Sequence, residues 1–338
     1  MKIQEKVLLS NYSTFKIGGE AEFFVIVKSE NELLEAIKWA KENNKKIFIL
    51  GSGSNSLFSD TGFSGLVIKN EIRGIEIISE NSKNVVIRSF SGEIWSSLVH
   101  YAVLRDLYGI ENTFYIPGTV GAAPMQNIGA YGTELKDVFL QLEAIDLSNG
   151  KKRVFSASDC RLAYRDSIFK RELKNKYFIL SIDIVLNKEK KLNLAYPDIQ
   201  RFLQEKNITE PNLKEITEII REIRDAKLPN PGILPSAGSF FKNPIISQEH
   251  FSKLKEKFPD IKSYPDEKGL KIPAAWLIDK CGFKERDFGP VGVYEKQALI
   301  IVNFGGAKQS DVLALAKQIK QEVWETYDIE LEEEVNIL

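Results

Sequence analysis

A mixed α+β protein of more than one domain is what this sequence predicts, and three observations predict it. The chain has 338 residues, and single hydrophobic cores stop growing near about 250–300. An early strand–helix–strand unit ends in a Gly/Ser-rich loop. The remainder interleaves β-branched runs with amphipathic stretches rather than repeating one period.

Residues 22 to 28, Glu-Phe-Phe-Val-Ile-Val-Lys, read as a strand. Ser29 then opens a capping box with Glu32, and Leu33, Leu34, Ile37 and Ala40 follow at helical spacing up to Asn43-Asn44. Ile47 to Leu50 form a buried-strand run that stops at Gly51-Ser52-Gly53-Ser54-Asn55. Strands are expected at 65 to 69, 76 to 79 and 84 to 90, and a helix at about 92 to 108. The densest Gly/Pro segment of the chain comes next, from Pro117 to Gly132. Strands at 138 to 146, 152 to 156 (after the Asn149-Gly150 turn) and 177 to 187 complete this half.

The charged stretch 188–191 suggests a boundary, dividing the chain into domains 1–190 and 191–338. Two helices follow, the second carrying Leu213, Ile216, Ile219, Ile220 and Ile223 on one side. A Pro-rich link leads to Ser236 through Pro244. Beyond it a helix is expected at 272 to 281, a strand at 297 to 302, a helix at 310 to 327 and a final strand from Ile329.

Composition excludes several kinds of function. The 46 Lys and Arg balance 47 Asp and Glu, so no basic field exists to hold nucleic acid or an anionic membrane. Cys160, Cys281, His100 and His250 stand far apart in the chain, which argues against zinc and leaves no His base for Ser-His or Cys-His catalysis. No apolar run is long enough to span a membrane, and residues 1 to 6 lack a signal-peptide pattern. A cytoplasmic, monomeric protein with reduced thiols and no metal is expected.

Four constellations remain. The two Gly-rich loops offer successive N–H groups that can cradle a pyrophosphate, or they are ordinary turns; neither has Rossmann or P-loop spacing. Ser239-Phe240-Phe241-Lys242 fits S-x-x-K, but the partner motifs S-D-N and K-T-G are missing. What is left is a Ser hydroxyl in a tight Gly turn, able to act as a proton donor. Arg165, beside Asp166, is either a surface ion-pair member or an oxyanion stabiliser. At the C-terminus, strand alternation puts Glu330, Glu332 and Glu334 on one face, and the pattern does not choose among them.

Taken together, these segments resemble the UDP-N-acetylenolpyruvoylglucosamine reductase (MurB) family. The resemblance runs from Asn11 to Val335 and rests on seven motifs in the family's order: Asn11–Gly19, Leu50–Asn55, Pro117–Gly132, Tyr164–Ser167, Gly238–Pro244, Ala274–Cys281 and Leu331–Val335. It implies an FAD-binding fold of the PCMH or vanillyl-alcohol-oxidase type, built of two subdomains, followed by a C-terminal α+β substrate domain.

Under this resemblance, FAD is held by Gly51, Ser52, Gly53, Ser54, Asn55, Pro117, Gly118, Gly121, Ala122, Gln126, Asn127, Gly129, Ala130, Tyr131, Gly132 and Arg224. NADPH reduces the flavin, whose N5 then delivers hydride to the enolpyruvyl carbon β to the carboxylate. Arg165 stabilises the enolate with Glu334 assisting, and Ser239 protonates the α-carbon. Tyr196 and Lys227 contact the diphosphate of a nucleotide-sugar substrate, with Asn243 and Gln297 as further polar ligands. Tyr196 belongs to an insertion like that of the subgroup with a Tyr loop. The terminal motif departs from the family's L-E-P-E-V-R at Glu333 and Asn336.

Two other functions were weighed. An FAD oxidase of the same fold often anchors flavin through a His, and neither His lies in a Gly loop. A non-catalytic nucleotide-sugar binder would not need Arg165, Ser239 and Glu334 together.

Overall fold

The computed structural model describes residues Met1 to Leu338, the side chain of Glu285 excepted. The chain divides into two compact units, the first made of Met1–Val7, Ala21–Ser52 and Ser64–Ala226, the second of Leu8–Glu20, Gly53–Phe63 and Lys227–Leu338.

The first unit holds two sheets. One has four strands in the order Gln4–Leu8, Glu20–Val27, Phe63–Asn70, Ile47–Leu50. The last two run parallel, with Leu50 opposite Lys69. The helix Glu30–Glu42 buries Leu33, Ala36, Ile37 and Ala40. Ser29 Oγ accepts the Glu32 N–H at 3.3 Å, as a capping box requires, but the Glu32 carboxylate accepts the N–H of Lys28 at 2.6 Å, one residue further back than Ser29.

The other sheet is antiparallel, in the order Lys152–Ser156, Phe139–Asp146, Tyr177–Asn187, Asn84–Phe90, Ile75–Glu80. Its central strand, Tyr177–Asn187, is buried along most of its length and so reads as a nearly continuous apolar run. The buried Asp183 is held by Arg88 through bonds of 2.7 and 2.8 Å and by Gln141 at 2.8 Å. The helix over this sheet is Trp95–Val103, shorter than expected. Gly92 N–H is drawn to Ile72 O before it, and Asp106, at φ 52°, turns the chain after it.

Beyond the charged stretch at 188–191, the helices Pro197–Glu205 and Leu213–Lys227 still pack with the first unit. Ile199, Leu203, Ile216, Ile219, Ile220 and Ile223 form their shared core, which closes against Phe114, Tyr131, Leu192 and Leu194. Burial of these side chains, rather than the run of charge, decides where they belong.

The second unit is built on the antiparallel strands Ser236–Ser239, Ile300–Asn303 and Val291–Val293, covered by the helices Ala274–Lys280 and Gln309–Tyr327. The strand expected at 297 to 302 starts later, because a turn carries Gln297 N–H to Tyr294 O. The strand expected from Ile329 is confined to Asn336–Ile337, parallel to Ser56–Leu57. Residues 329–335 form no strand; their only β-bridge among the described residues joins Phe241 to Glu333, flanked by the bonds of Lys242 N–H to Glu332 O and Glu334 N–H to Phe240 O. The side-chain alternation fails there: Glu330 and Glu332 are exposed, whereas Glu334 is buried beside buried Val335. The three carboxylates therefore do not share a face.

Candidate active site

In the first unit, the Gly/Ser loop leaves the C-terminal end of the strand Ile47–Leu50 beside the end of its parallel neighbour, the edge at which open parallel sheets gather ligands. A Cβ on Gly51 would lie 2.7 Å from Thr119 Oγ1, so only Gly lets this loop approach the second one. Lys69 Nζ donates to Gly51 O at 2.6 Å. In a trans peptide the C=O and the next N–H point opposite ways, so this bond turns the Ser52 N–H away from Lys69. Burial lowers the Lys69 pKa, and among the described residues it makes no ion pair. The negative charge of Glu71 nearby offsets part of that burial effect.

The two loops differ in what their N–H groups do. Ser52 and Gly53 donate to no backbone carbonyl among the described residues. In the second loop Val120, Gly121 and Ala122 donate to Glu93 O, Ser91 O and Thr119 O, and Gly118 O accepts from Trp95. Residues 120 to 122 thus brace the fold, while Gly118 and Thr119, like Ser52 and Gly53, donate to no backbone carbonyl among the described residues. Asn127 is also engaged internally: its Nδ2 donates to Glu134 at 2.9 Å and Ala163 O at 3.2 Å, and its Oδ1 accepts Lys136 N–H at 2.9 Å.

Past Pro117 and the turn that ends at Gln126, residues Gly129–Ala130 pair with Thr133–Glu134, and Tyr131 and Gly132 form the tip between them. Arg165 Nη2 donates to Gly129 O at 3.1 Å. Asp166 forms an ion pair with Arg171. Arg224 is hydrogen-bonded to the Tyr131 side chain, and burial lowers its pKa while the nearby charge of Arg165 lowers it further. Its buried Nε meets no acceptor among the described residues. Burial raises the pKa of Tyr131. Tyr115, Asn127, Tyr131 and Arg165 all take left-handed backbone, at φ 65°, 47°, 50° and 51°. Non-glycine residues there cost of order 1–3 kcal/mol each and cluster at functional sites. Tyr196, just before the helix Pro197–Glu205, sets its ring edge-to-face on Tyr131 at 5.1 Å.

In the second unit, Ser239 ends its strand opposite Ile300, after an irregularity in register that starts at Ser236. Such a bulge re-aims the side chains beyond it. The next residue ties three segments together: Phe240 N–H donates to Leu299 O at 2.8 Å, and Phe240 O accepts Glu334 N–H at 2.8 Å. Asn55 Nδ2 donates to Glu334 O at 3.2 Å. The neighbouring carboxylates are engaged elsewhere, Glu332 with Lys242 and Glu333 with Lys320 at 2.9 Å. Gln297 sits in the turn before the Ile300 strand, and Asn243 Oδ1 accepts Ala274 N–H at 2.9 Å. Lys227 is the last residue of its helix.

Lys69, Asn112 and Asn193 were missed by sequence reasoning. A Lys inside the run Leu66-Val67-Ile68-Lys69-Asn70 was a visible signal, a cation in an otherwise apolar strand. Asn112 had no such mark.

Residues 229–338 match the family model for the C-terminal domain of UDP-N-acetylenolpyruvoylglucosamine reductase, and residues 21–156 match that of an FAD binding domain. The reductase of Flavobacterium johnsoniae is 42% identical, with all of both chains covered. That of Pseudomonas aeruginosa is 41% identical over 100% of this chain and 99% of its own. The chain belongs to the UDP-N-acetylenolpyruvoylglucosamine reductase family. The solved reductase from Thermus caldophilus, 23% identical, has the same fold at a TM-score of 0.69 over 100% of this chain and 99% of that one. The α+β FAD-binding PCMH/vanillyl-alcohol-oxidase-type fold with a C-terminal domain, expected of this reductase family, is the fold observed.

The residues present fit FAD. The close approach at Gly51 and the N–H groups of Ser52 and Gly53, which donate to no backbone carbonyl among the described residues, suit a diphosphate. The buried Nε of Arg224 beside Tyr131 suits a polar heteroaromatic ring.

Proposed function

We propose that the chain reduces the enolpyruvyl group of UDP-N-acetylglucosamine enolpyruvate to give UDP-N-acetylmuramate in peptidoglycan precursor synthesis, using NADPH and FAD. The full-length relationship to named reductases carries this reading. FAD, when bound, would supply the hydride chemistry.

The protein's own residues bind, orient and handle the proton. The first Gly loop, Gly51 to Asn55, would hold the cofactor's diphosphate, and the 117–132 segment with Arg224 would hold the flavin. Arg165, fixed by its bond to Gly129 O, places a permanent cation against the developing enolate. The Ser239 hydroxyl gives its proton to the α-carbon. Glu334 assists: its backbone is bonded to the residue after Ser239, and it is buried. Tyr196 and Lys227 receive the substrate's diphosphate, with Asn243 and Gln297 as further polar contacts. The first unit serves the cofactor and the second the substrate's reacting end.

The enzyme works as a cytoplasmic monomer whose partner is a small nucleotide sugar, without nucleic acid or membrane. Among the described residues no helix is long and apolar enough to cross a bilayer.

Anaerobic stopped-flow on Ser239→Ala tests the central role. Flavin reduction by NADPH should keep its rate while reoxidation by the enolpyruvyl substrate slows by about 10²–10⁴, the usual size of a general-acid effect. Equal slowing of both steps removes Ser239 as the acid. A colourless protein that takes up no FAD removes the whole reading.

A further inference from the structure

Asn112 lies in the short turn Glu111–Thr113 and is fully buried. Its Nδ2 donates to two carbonyls from different parts of the first unit: Tyr131 O at 2.9 Å and Asn193 O at 2.8 Å. Asn193 answers from the other side, its Nδ2 donating to Gly132 O at 2.8 Å. Three residues further on, Tyr196 rests its ring on that of Tyr131. The tip 131–132 and the stretch 193–196 are thus joined by these contacts, with Asn112 at their centre.

Both acceptors of Nδ2 are carbonyl oxygens, which fixes the orientation of the Asn112 amide. Its Oδ1 is then left buried without a partner. An orphaned acceptor destabilises the fold unless a water reaches it. A hydroxyl offers only one proton and a carboxylate none, so of the small side chains only an amide joins two carbonyls through one atom.

From this geometry we infer that Asn112 is a positioning residue that fastens the Tyr196 segment to the cofactor-side tip at Tyr131, setting how Tyr196 meets the substrate. The inference rests on the proposal that Tyr196 receives the substrate's diphosphate and that 129–132 flanks the flavin. Asn112 touches neither ligand. It acts through two backbone carbonyls, so its removal weakens substrate binding and leaves hydride transfer from NADPH to FAD in place.

The test uses the FAD-loaded full chain and two variants, Asn112→Ala and Asn193→Ala. The second alters an exposed side chain and should fold regardless of the first. Each is assayed for KM and kcat with UDP-N-acetylglucosamine enolpyruvate, for flavin reduction by NADPH, and for the change in the flavin absorbance spectrum on titration with that substrate. Asn112→Ala should raise KM roughly ten- to thirtyfold and Asn193→Ala roughly three- to fivefold, as expected for losing two hydrogen bonds and one. The spectral titration midpoint should move in parallel, with kcat and the NADPH step within about twofold of wild type. Variants that lose thermal stability while keeping the wild-type KM and titration midpoint would show that the amide serves only the fold, and overturn the inference. A wild-type protein that binds FAD but shows no substrate-dependent NADPH oxidation would overturn the underlying functional proposal instead.

Discussion

In the first unit the site is largely made of backbone: a glycine pressed against Thr119, an open N–H group at Ser52, and Arg165 and Tyr131 held at positive φ. In the second unit it is made of side chains on extended segments, Ser239 beyond a register irregularity and Glu334 on the C-terminal stretch, joined through Phe240. Backbone sites bind what is always there, because a cradle of N–H groups needs no side chain to choose a rotamer. Side chains on strand ends suit a proton that must move, because a single hydroxyl or carboxyl sets the chemistry. The two units should therefore fail differently when changed.

The sharpest test of the side-chain half sets Glu334→Gln against Glu332→Gln. Glu334 is buried beside the Ser239 segment, whereas Glu332 is an exposed partner of Lys242. Turnover should fall by about 10²–10³ in the first, the scale of a lost group that stabilises developing charge in the transition state. It should change by less than about twofold in the second, since exposed ion pairs contribute about 0–1 kcal/mol. FAD affinity should be unchanged in both, measured by flavin fluorescence. Reversed rates would move the carboxylate role to Glu332.

Each unit also carries one of the two cysteines, both free: Cys160 in the first and Cys281 in the second. Burial pushes the Cys160 thiol up to about 12 and raises that of Cys281. Both pKa values are raised, so the reactive thiolate is scarce at pH 8 and grows only as pH climbs towards them. Labelling of native protein at pH 8 thus reports local opening. FAD at about 100 times its Kd stabilises the structure that binds it by about 2.7 kcal/mol, so labelling of Cys160 should slow about 100-fold when FAD is added to apoprotein. Cys281 should slow less. Equal protection at both would mean that FAD stabilises the second unit as much as the first.

Much of this was legible in the sequence because it was periodic or compositional. The helices at 30–42 and 213–227 and the strand 177–187 announced themselves by apolar spacing, and the two Gly-rich segments by density alone. What was not legible depended on long-range closure. Nothing local says that residues 197–227 bury their faces on Tyr131 and Phe114, so a boundary at 190 looked natural. Strand alternation misplaced Glu334 because 329–335, although bonded to Phe240 and Lys242, lacks the continuous ladder that would enforce alternation. Asn112 was invisible since its worth lies in two carbonyls 19 and 81 residues away.

Glycines give the smallest and cleanest contrast between the halves. Gly121 has ordinary φ, but a Cβ there would lie 2.5 Å from Ser91 Cβ, a contact that neither backbone can relieve cheaply. Gly121→Ala should lower stability by about 1–3 kcal/mol, as overpacking does, and weaken FAD binding about tenfold in a fluorescence titration. At Gly238 the case is the opposite: φ is +72° and nothing lies within 4 Å of the added Cβ. Gly238→Ala meets no clash and incurs only the left-handed backbone penalty of about 1–2 kcal/mol. If the chain holds that backbone, the melting temperature drops slightly, FAD affinity stays as it was and only the Ser239-dependent reoxidation of flavin slows by a few-fold. Loss of FAD affinity in Gly238→Ala would break the division between a backbone-built cofactor half and a side-chain-built acid half.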